Sequence, residues 1–325
     1  MKTTRNSIRT KLQEMADYAY LQKDSLTGVG LINGKMGLCI NLYHISRYLN
    51  NHDLMTKADN LLDEIYAQLS LSLPIYLSNG LTGVAWGLLH LESESFVKGD
   101  IEIETVLLDI DILEIEVAKY FPIKEYGFLT GFMGQMIYVI NRIENCKDSD
   151  NIMILQLQVL LISLIEQLDH IVTNEDALYV HPSQATVYWD LLFAASILSK
   201  LEELNIYKSR VTKIRTTFIE KIEHINISHN LYGLMLDYIY LLSKSNFSIV
   251  NRIYERPSKR TENILCDLSL LEFLHKFSEQ NLHYEKAFQE EKEEFFLRML
   301  SFPSQCYMPA LSDGYKGFYR ILKFV

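Results

Sequence analysis

The chain is poor in the residues that divide or staple a protein. It has only 6 prolines, no Pro-rich or Gly/Ser-rich stretch, and 4 cysteines (Cys39, Cys146, Cys266, Cys306) in 325 residues. No linker therefore interrupts it, and the cysteines read as reduced thiols rather than a disulfide framework. Strand-like alternation is almost absent. No basic block exists and the formal charge is −10, which argues against nucleic acid or an anionic membrane surface as the main partner. No run of about 18 apolar residues occurs, and the N-terminus leads into an amphipathic helix, so neither a transmembrane segment nor a secretory signal is expected. The expected location is the cytoplasm. With 48% hydrophobic residues, the chain can bury a large core.

Glycine is scarce, yet it recurs in one phrase. Asn33-Gly34-Lys35-Met36-Gly37, Asn79-Gly80-Leu81-Thr82-Gly83, Thr130-Gly131-Phe132-Met133-Gly134 and Asp313-Gly314-Tyr315-Lys316-Gly317 are the clear copies. Three weaker segments share the layout of a polar residue, a short loop and an apolar helical run: His181-Pro182-Ser183-Gln184-Ala185, His229-Asn230-Leu231-Tyr232-Gly233 and Asp267-Leu268-Ser269-Leu270-Leu271. Their leading positions, 34, 80, 131, 182, 230, 268 and 314, step by 46, 51, 51, 48, 38 and 46. A period of this size marks an array of supersecondary units.

Each signature opens a run that is apolar nearly all round, such as residues 38–45, 84–91 and 186–201. A helix without a polar face is a buried one. Between signatures, residues 55–69, 104–120, 152–171 and 279–300 place apolar and polar side chains on opposite helix faces. The expectation is one all-α domain over residues 1–325, an (α/α) toroid of about seven helical hairpins with an inner and an outer layer. Asn33, Asn79, Asp267 and Asp313 suit helix capping. Trp86, Trp189 and most tyrosines suit packing, while Tyr126, Tyr188, Tyr232 and Tyr315 lie near signatures and could line a central cavity.

Phrases such as Gly30-Leu31-Ile32-Asn33-Gly34-Lys35-Met36-Gly37 and Leu77-Ser78-Asn79-Gly80-Leu81-Thr82-Gly83-Val84-Ala85-Trp86-Gly87 resemble the lanthionine synthetase C-like family, over essentially the whole chain. The resemblance implies an (α/α) toroid that joins peptide cysteines to dehydroalanine or dehydrobutyrine as thioethers. It also implies a zinc ion that activates the cysteine thiol, held by one cysteine of the fifth signature and a Cys-His pair of the sixth. A histidine of the fourth signature and an aspartate ahead of the third would assist proton transfer.

By the same resemblance, His181 matches the histidine of the fourth signature. Cys266 matches the first residue of the Cys-His pair, but Asp267 stands for the histidine and Leu268 for the following glycine. Ser228 falls where the fifth-signature cysteine belongs, and Gly127 where the aspartate belongs. A hydroxyl is a poor zinc ligand beside thiolate, imidazole and carboxylate. Cys266 and Asp267 remain as candidate ligands, joined by His229 if the fifth loop is displaced by one residue. His181 is the candidate acid/base. Cys266 also reads as a small buried hydrophobe and His181 as a loop hydrogen-bonding group.

Two readings of function follow from the resemblance. One is a precursor-peptide-binding component of ribosomal-peptide maturation with impaired or absent zinc chemistry, acting with a dehydratase or another maturation enzyme. The other is an active zinc-dependent cyclase. A carbohydrate-active toroid is a third reading, and would need two carboxylates at inner-helix entries, for which Asp267 and Asp313 are the candidates.

Overall fold

The computed structural model describes residues 2–26, 28–99, 101–118, 127, 130–146, 151–174, 185–223, 275, 282–315 and 322. Contacts group the chain into two compact units, one formed by residues 1–104 and 261–325, the other by 105–260. Helices dominate both, and among the described residues extended pairing is limited to a single antiparallel bridge between Ile32 and Asp313.

The first unit contains α1 (Lys2–Leu21), α2 (Lys35–Leu49), α3 (His52–Gln68), α4 (Leu81–Ser93), α10 (Leu282–Ser301) and the short α11 (Met308–Leu311). Helix α2 is the inner element. From Lys35 to Ser46 every residue but His44 is buried, as expected for a helix with no polar face. It packs on α1, α3, α4 and α11. Helix α3 is amphipathic and buries only Leu54, Ala58, Leu61, Leu62 and Ile65, at the three- and four-residue spacing of one helix face. Helix α1 does the same with Leu12, Met15, Ala16 and Ala19.

The second unit repeats the scheme. Helix α6 (Phe132–Asn145) is buried along most of its length. It packs on the outer α7 (Ile152–Asn174) and on α8 (Ala185–Leu204), while α9 (Lys208–Glu223) covers α7 and α8. Helix α5 (Ile101–Val117) joins α6 through buried polar groups rather than apolar contact alone. Arg142 Nε donates to Asp111 at 3.0 Å, Tyr138 donates to the same carboxylate at 2.5 Å, and Gln135 Nε2 donates to Glu114 at 2.6 Å. Burial, with the Asp111 charge, raises the Tyr138 phenol well above its ordinary value, so it stays a donor. Helix α7 has the length and mean apolar composition of a membrane span, although Gln156, Gln158 and Ser163 interrupt the apolar run. One face of it is core; Ile152, Leu155, Val159 and Ile162 are exposed.

Inner and outer helices begin differently. The outer α3 has an ordinary cap: Asn51 Oδ1 accepts from the Asp53 and Leu54 N–H groups. The inner α2, α4 and α6 have Gly34, Gly80 and Gly131 at the cap position and no side-chain cap. In α2 and α4 the first N–H groups are satisfied by main chain instead. Lys35, Met36 and Gly37 donate to the carbonyls of Gly28, Val29 and Gly30, and Leu81 and Gly83 donate to those of Pro74 and Tyr76. The loop before each of these two helices lies across its entrance, and each N–H finds a carbonyl seven residues back. Asn33 and Asn79 therefore do not cap these helices as expected, and the helix expected after Asp313 lies outside the described residues. Asn33 adopts φ 53, the left-handed region that asparagine tolerates better than most residues. Asp313 Oδ1 accepts from the Tyr315 N–H at 3.0 Å and shapes a turn.

The end of the chain returns to its beginning within the first unit. Gly314 N–H donates to the Leu31 carbonyl at 2.8 Å. Asn41, fully buried on α2, spreads its Nδ2 hydrogens over the carbonyls of Gly37, Leu311 and Asp313, each at 3.0 Å. Asn41→Leu keeps the volume and removes the donors to the Gly37, Leu311 and Asp313 carbonyls. The expected loss is about 2–3 kcal/mol, read as a lowered urea midpoint at unchanged slope.

Candidate functional site

The loops that open the inner helices stack on one another in the order seventh, first, second. Ile32 N–H donates to the Ser78 carbonyl at 2.8 Å, joining the first loop to the second. The Ile32–Asp313 bridge and the Gly314–Leu31 hydrogen bond join the first to the seventh. These contacts are made by main chain, which is why the phrase needs glycine. A Cβ on Gly37 would stand 2.1 Å from the Ser312 carbonyl oxygen and 2.3 Å from that of Leu31. One on Gly30 would stand 2.4 Å from the Asn79 Cα.

Around this stack the side chains are engaged. Lys35 of the first signature, almost buried, reaches Glu64 on α3 at 3.3 Å, where Lys23 also donates at 2.6 Å. The Lys23 hydrogen bond, with a smaller contribution from Lys35, holds the Glu64 carboxyl below its ordinary value against the opposing effect of burial. Thr82 Oγ1 donates to the Ile75 carbonyl at 2.6 Å. Cys39 is buried beneath α3, with its thiol 3.5 Å from the Ala58 carbonyl, and burial pushes that thiol far above its ordinary value. It is an inert core group.

Of the tyrosines near signatures, Tyr315 packs against Trp86 with centroids 5.1 Å apart, and Trp86 in turn stacks on His90 at 5.3 Å and 8°. Trp86 and Tyr315 are both half-buried, so this ring surface is partly open rather than core. Tyr126, Tyr232 and the side chains of Tyr188 and Trp189 lie outside the described residues. Asp313, weighed as a carbohydrate-type acid, is 5% exposed and committed to its turn.

His181, His229, Cys266 and Asp267 lie outside the described residues, as do Ser228 and Leu268. Among the described residues no three His, Cys, Asp or Glu side chains gather as a metal site. The third signature is described, and a residue unmarked by sequence reasoning appears beside it. Asp190 of α8 places its carboxylate oxygens 3.7 and 3.8 Å from where a Gly127 Cβ would lie. The position that resemblance assigns to an aspartate is thus empty of a side chain but faces a carboxylate from another element. A seven-fold pattern cannot reveal this, because 127 and 190 belong to different repeats and different register positions.

The comparisons agree with this architecture. A solved structure described as nisin cyclase aligns over 99% of this chain and 99% of its own, with a TM-score of 0.59 and 14% sequence identity. The fold is therefore all-α, of the (α/α) toroid class. No curated protein sequence matches. The model of the family described as lanthionine synthetase C-like protein matches residues 25–189, and the chain belongs to that family.

Three glycine substitutions test the site. Gly37→Ala, which in an ordinary helix would be favourable by about 0.5–1 kcal/mol, is expected here to destabilise by about 3 kcal/mol, because backbone atoms block the methyl. Gly87→Ala, whose Cβ would meet the movable Met36 side chain, is expected to cost less, and thermal melts rank the two. Gly127→Asp would set two carboxylates against each other. A loss of about 1 kcal/mol at neutral pH is expected, recovered in the Gly127→Asp/Asp190→Asn double variant.

Proposed function

We propose that this protein is a precursor-peptide-binding member of a lanthipeptide-type maturation system, in which zinc-dependent thioether chemistry is impaired or lost. Family membership supports the class of substrate, a ribosomally made peptide carrying cysteine and dehydrated serine or threonine. The observation that carries the reading is the donor set. At the three positions where the resemblance calls for zinc ligands, this chain has Ser228, Cys266 and Asp267. A hydroxyl does not replace a thiolate on zinc, so two of the three positions are changed: only Cys266 matches, and Asp267 offers a carboxylate in place of the imidazole. His229, next to Ser228, is the one neighbour whose imidazole would complete a set. As they stand these residues do not make a good zinc site, and no reaction step is derived through the metal.

The partly open ring surface of Trp86 and Tyr315, beside signature loops tied by main chain, supports a rigid receptor for an extended peptide. Binding of this kind needs no metal. A dehydratase is the expected partner, since it produces the dehydrated residues the peptide would carry. The cytoplasm is the proposed location, where a precursor peptide and its thiols stay reduced.

An active cyclase is favoured by two retained residues, His181 and Cys266. Metal content decides between the readings. Protein purified without a metal-affinity tag, and its Cys266→Ala variant, are expected to contain no stoichiometric zinc by plasma mass spectrometry. The wild type is expected to bind a cysteine-containing peptide dehydrated at serine and threonine without consuming its thiol, as read by alkylation and mass. About one zinc per chain that disappears in Cys266→Ala, together with thiol consumption, would overturn the proposal in favour of the cyclase.

A further inference from the structure

His44 on α2 and His90 on α4 each lie ten residues after the leading glycine of their signature, Gly34 and Gly80. Equivalent places on neighbouring inner helices bring the two rings together. Their Nε2 atoms are 2.9 Å apart and their ring centroids 5.2 Å. The difference is about two imidazole radii, so both nitrogens lie nearly on the line between the rings and their in-plane lone-pair directions meet head-on. A metal ion shared by the two would sit about 2.0–2.1 Å from each nitrogen, well off both lone-pair directions. One hydrogen, however, fits the gap.

The rings are held in this pose. Trp86 stacks on His90, Phe96 meets His44 edge-on with centroids 4.8 Å apart, and the Arg47 guanidinium covers the Phe96 ring at 3.5 Å. In the neutral pair one ring carries its proton on Nε2 and donates, while the other carries it on Nδ1 and accepts. A further proton leaves the bond intact and makes it charge-assisted. Protonating both rings fully sets N–H against N–H and one positive charge against another. Among the described residues, the charged groups on the elements around the pair are engaged as follows. Arg47, one turn along α2 from His44, adds positive charge and is taken up by the Glu94 carboxylate at 3.5 Å and the Glu94 main-chain oxygen at 2.6 Å, just beyond α4. On the other elements packed around α2, Arg9 of α1 donates to the Tyr48 and Leu49 carbonyls, Asp59 of α3 accepts from Tyr43, and Asp313 closes its own turn next to Tyr315.

We infer that His44 and His90 form a single-proton latch between the first two inner helices, closed while one hydrogen is shared between the facing nitrogens and opened by acid when both rings are charged. Each helix carries a signature loop at its start, so acid loosens the register between the first and second loops. The direction follows from linkage. The unfolded chain accepts the second proton more readily than the folded one, so the stabilisation is present above the ordinary imidazole value, about 6.5, and is lost as pH falls below it.

Histidine nitrogen spectra of the full-length protein test the latch. At pH 8 one ring of the pair is expected as the Nε2–H tautomer and the other as Nδ1–H, assigned with His44→Gln and His90→Gln. On acidification the wild-type pair is expected to take up protons in two steps separated by at least about one pH unit, while the ring left in either variant titrates in one step. Both rings as Nε2–H at pH 8, or two coincident titrations untouched by the partner's substitution, would overturn the inference. The tautomer measurement needs only wild-type protein, and stands even if a variant folds poorly.

Discussion

The backbone of one signature loop lies against the backbone of the next with no room for a side chain between them, and the arrangement of the first unit depends on that contact. Leu31, Ile32, Ser78 and Gly314 exchange main-chain hydrogen bonds between loops that are far apart in sequence. Where main chain meets main chain, a methyl group has nowhere to go, since the blocking atoms are main-chain atoms of the neighbouring loop. The cost falls on chain entropy, because glycine is the residue with most freedom to lose on folding. It is offset by hydrogen bonds that are buried and fully paired. The same contact solves the helix-entry problem: a helix start packed under a loop cannot be reached by water, and the carbonyls of the preceding loop take over the role of a capping side chain.

This explains which parts of the fold were legible in the sequence. The layers were, because burial writes itself into composition: α2 is apolar on all sides, whereas α3 and α1 show an apolar stripe. The repeat was legible because glycine is irreplaceable at a main-chain crossing. The role of Asn33, ahead of the first glycine, was not. Asn33 looked like a cap because asparagine before a helix usually is one, yet capping and a left-handed turn draw on the same residue type. The structure separates the two by backbone angle, which no spacing argument reaches.

The candidate site divides along the same line. Side chains that act by pairing across the fold leave no periodic trace. Nothing in the order of residues links Gly127 to Asp190, or Asn41 to carbonyls some 270 positions away. His44 and His90 were visible only as polar breaks in two apolar runs, and their equivalence as tenth residues gains meaning once α2 and α4 are neighbours. The positions of Cys266, Asp267 and His181 were legible through resemblance rather than through physics. Cysteine, aspartate and histidine at helix entries have ordinary structural uses there.

Scaffold and chemistry draw on different signatures in this chain. The main-chain contacts that tie seventh, first and second loops together use glycines that are all retained. The resemblance places the metal ligands and the acid/base on the fourth, fifth and sixth, the three signatures that have shed most of their glycines. A change of ligand there leaves the seventh–first–second stack untouched, because that stack is held by carbonyls and N–H groups that every residue carries, and by the absence of side chains. A family whose fold rests on backbone contact can therefore lose or exchange its donor set while keeping its architecture. In this chain the retained glycines report the fold, whereas residues 181, 228, 266 and 267 bear on the chemistry through resemblance alone.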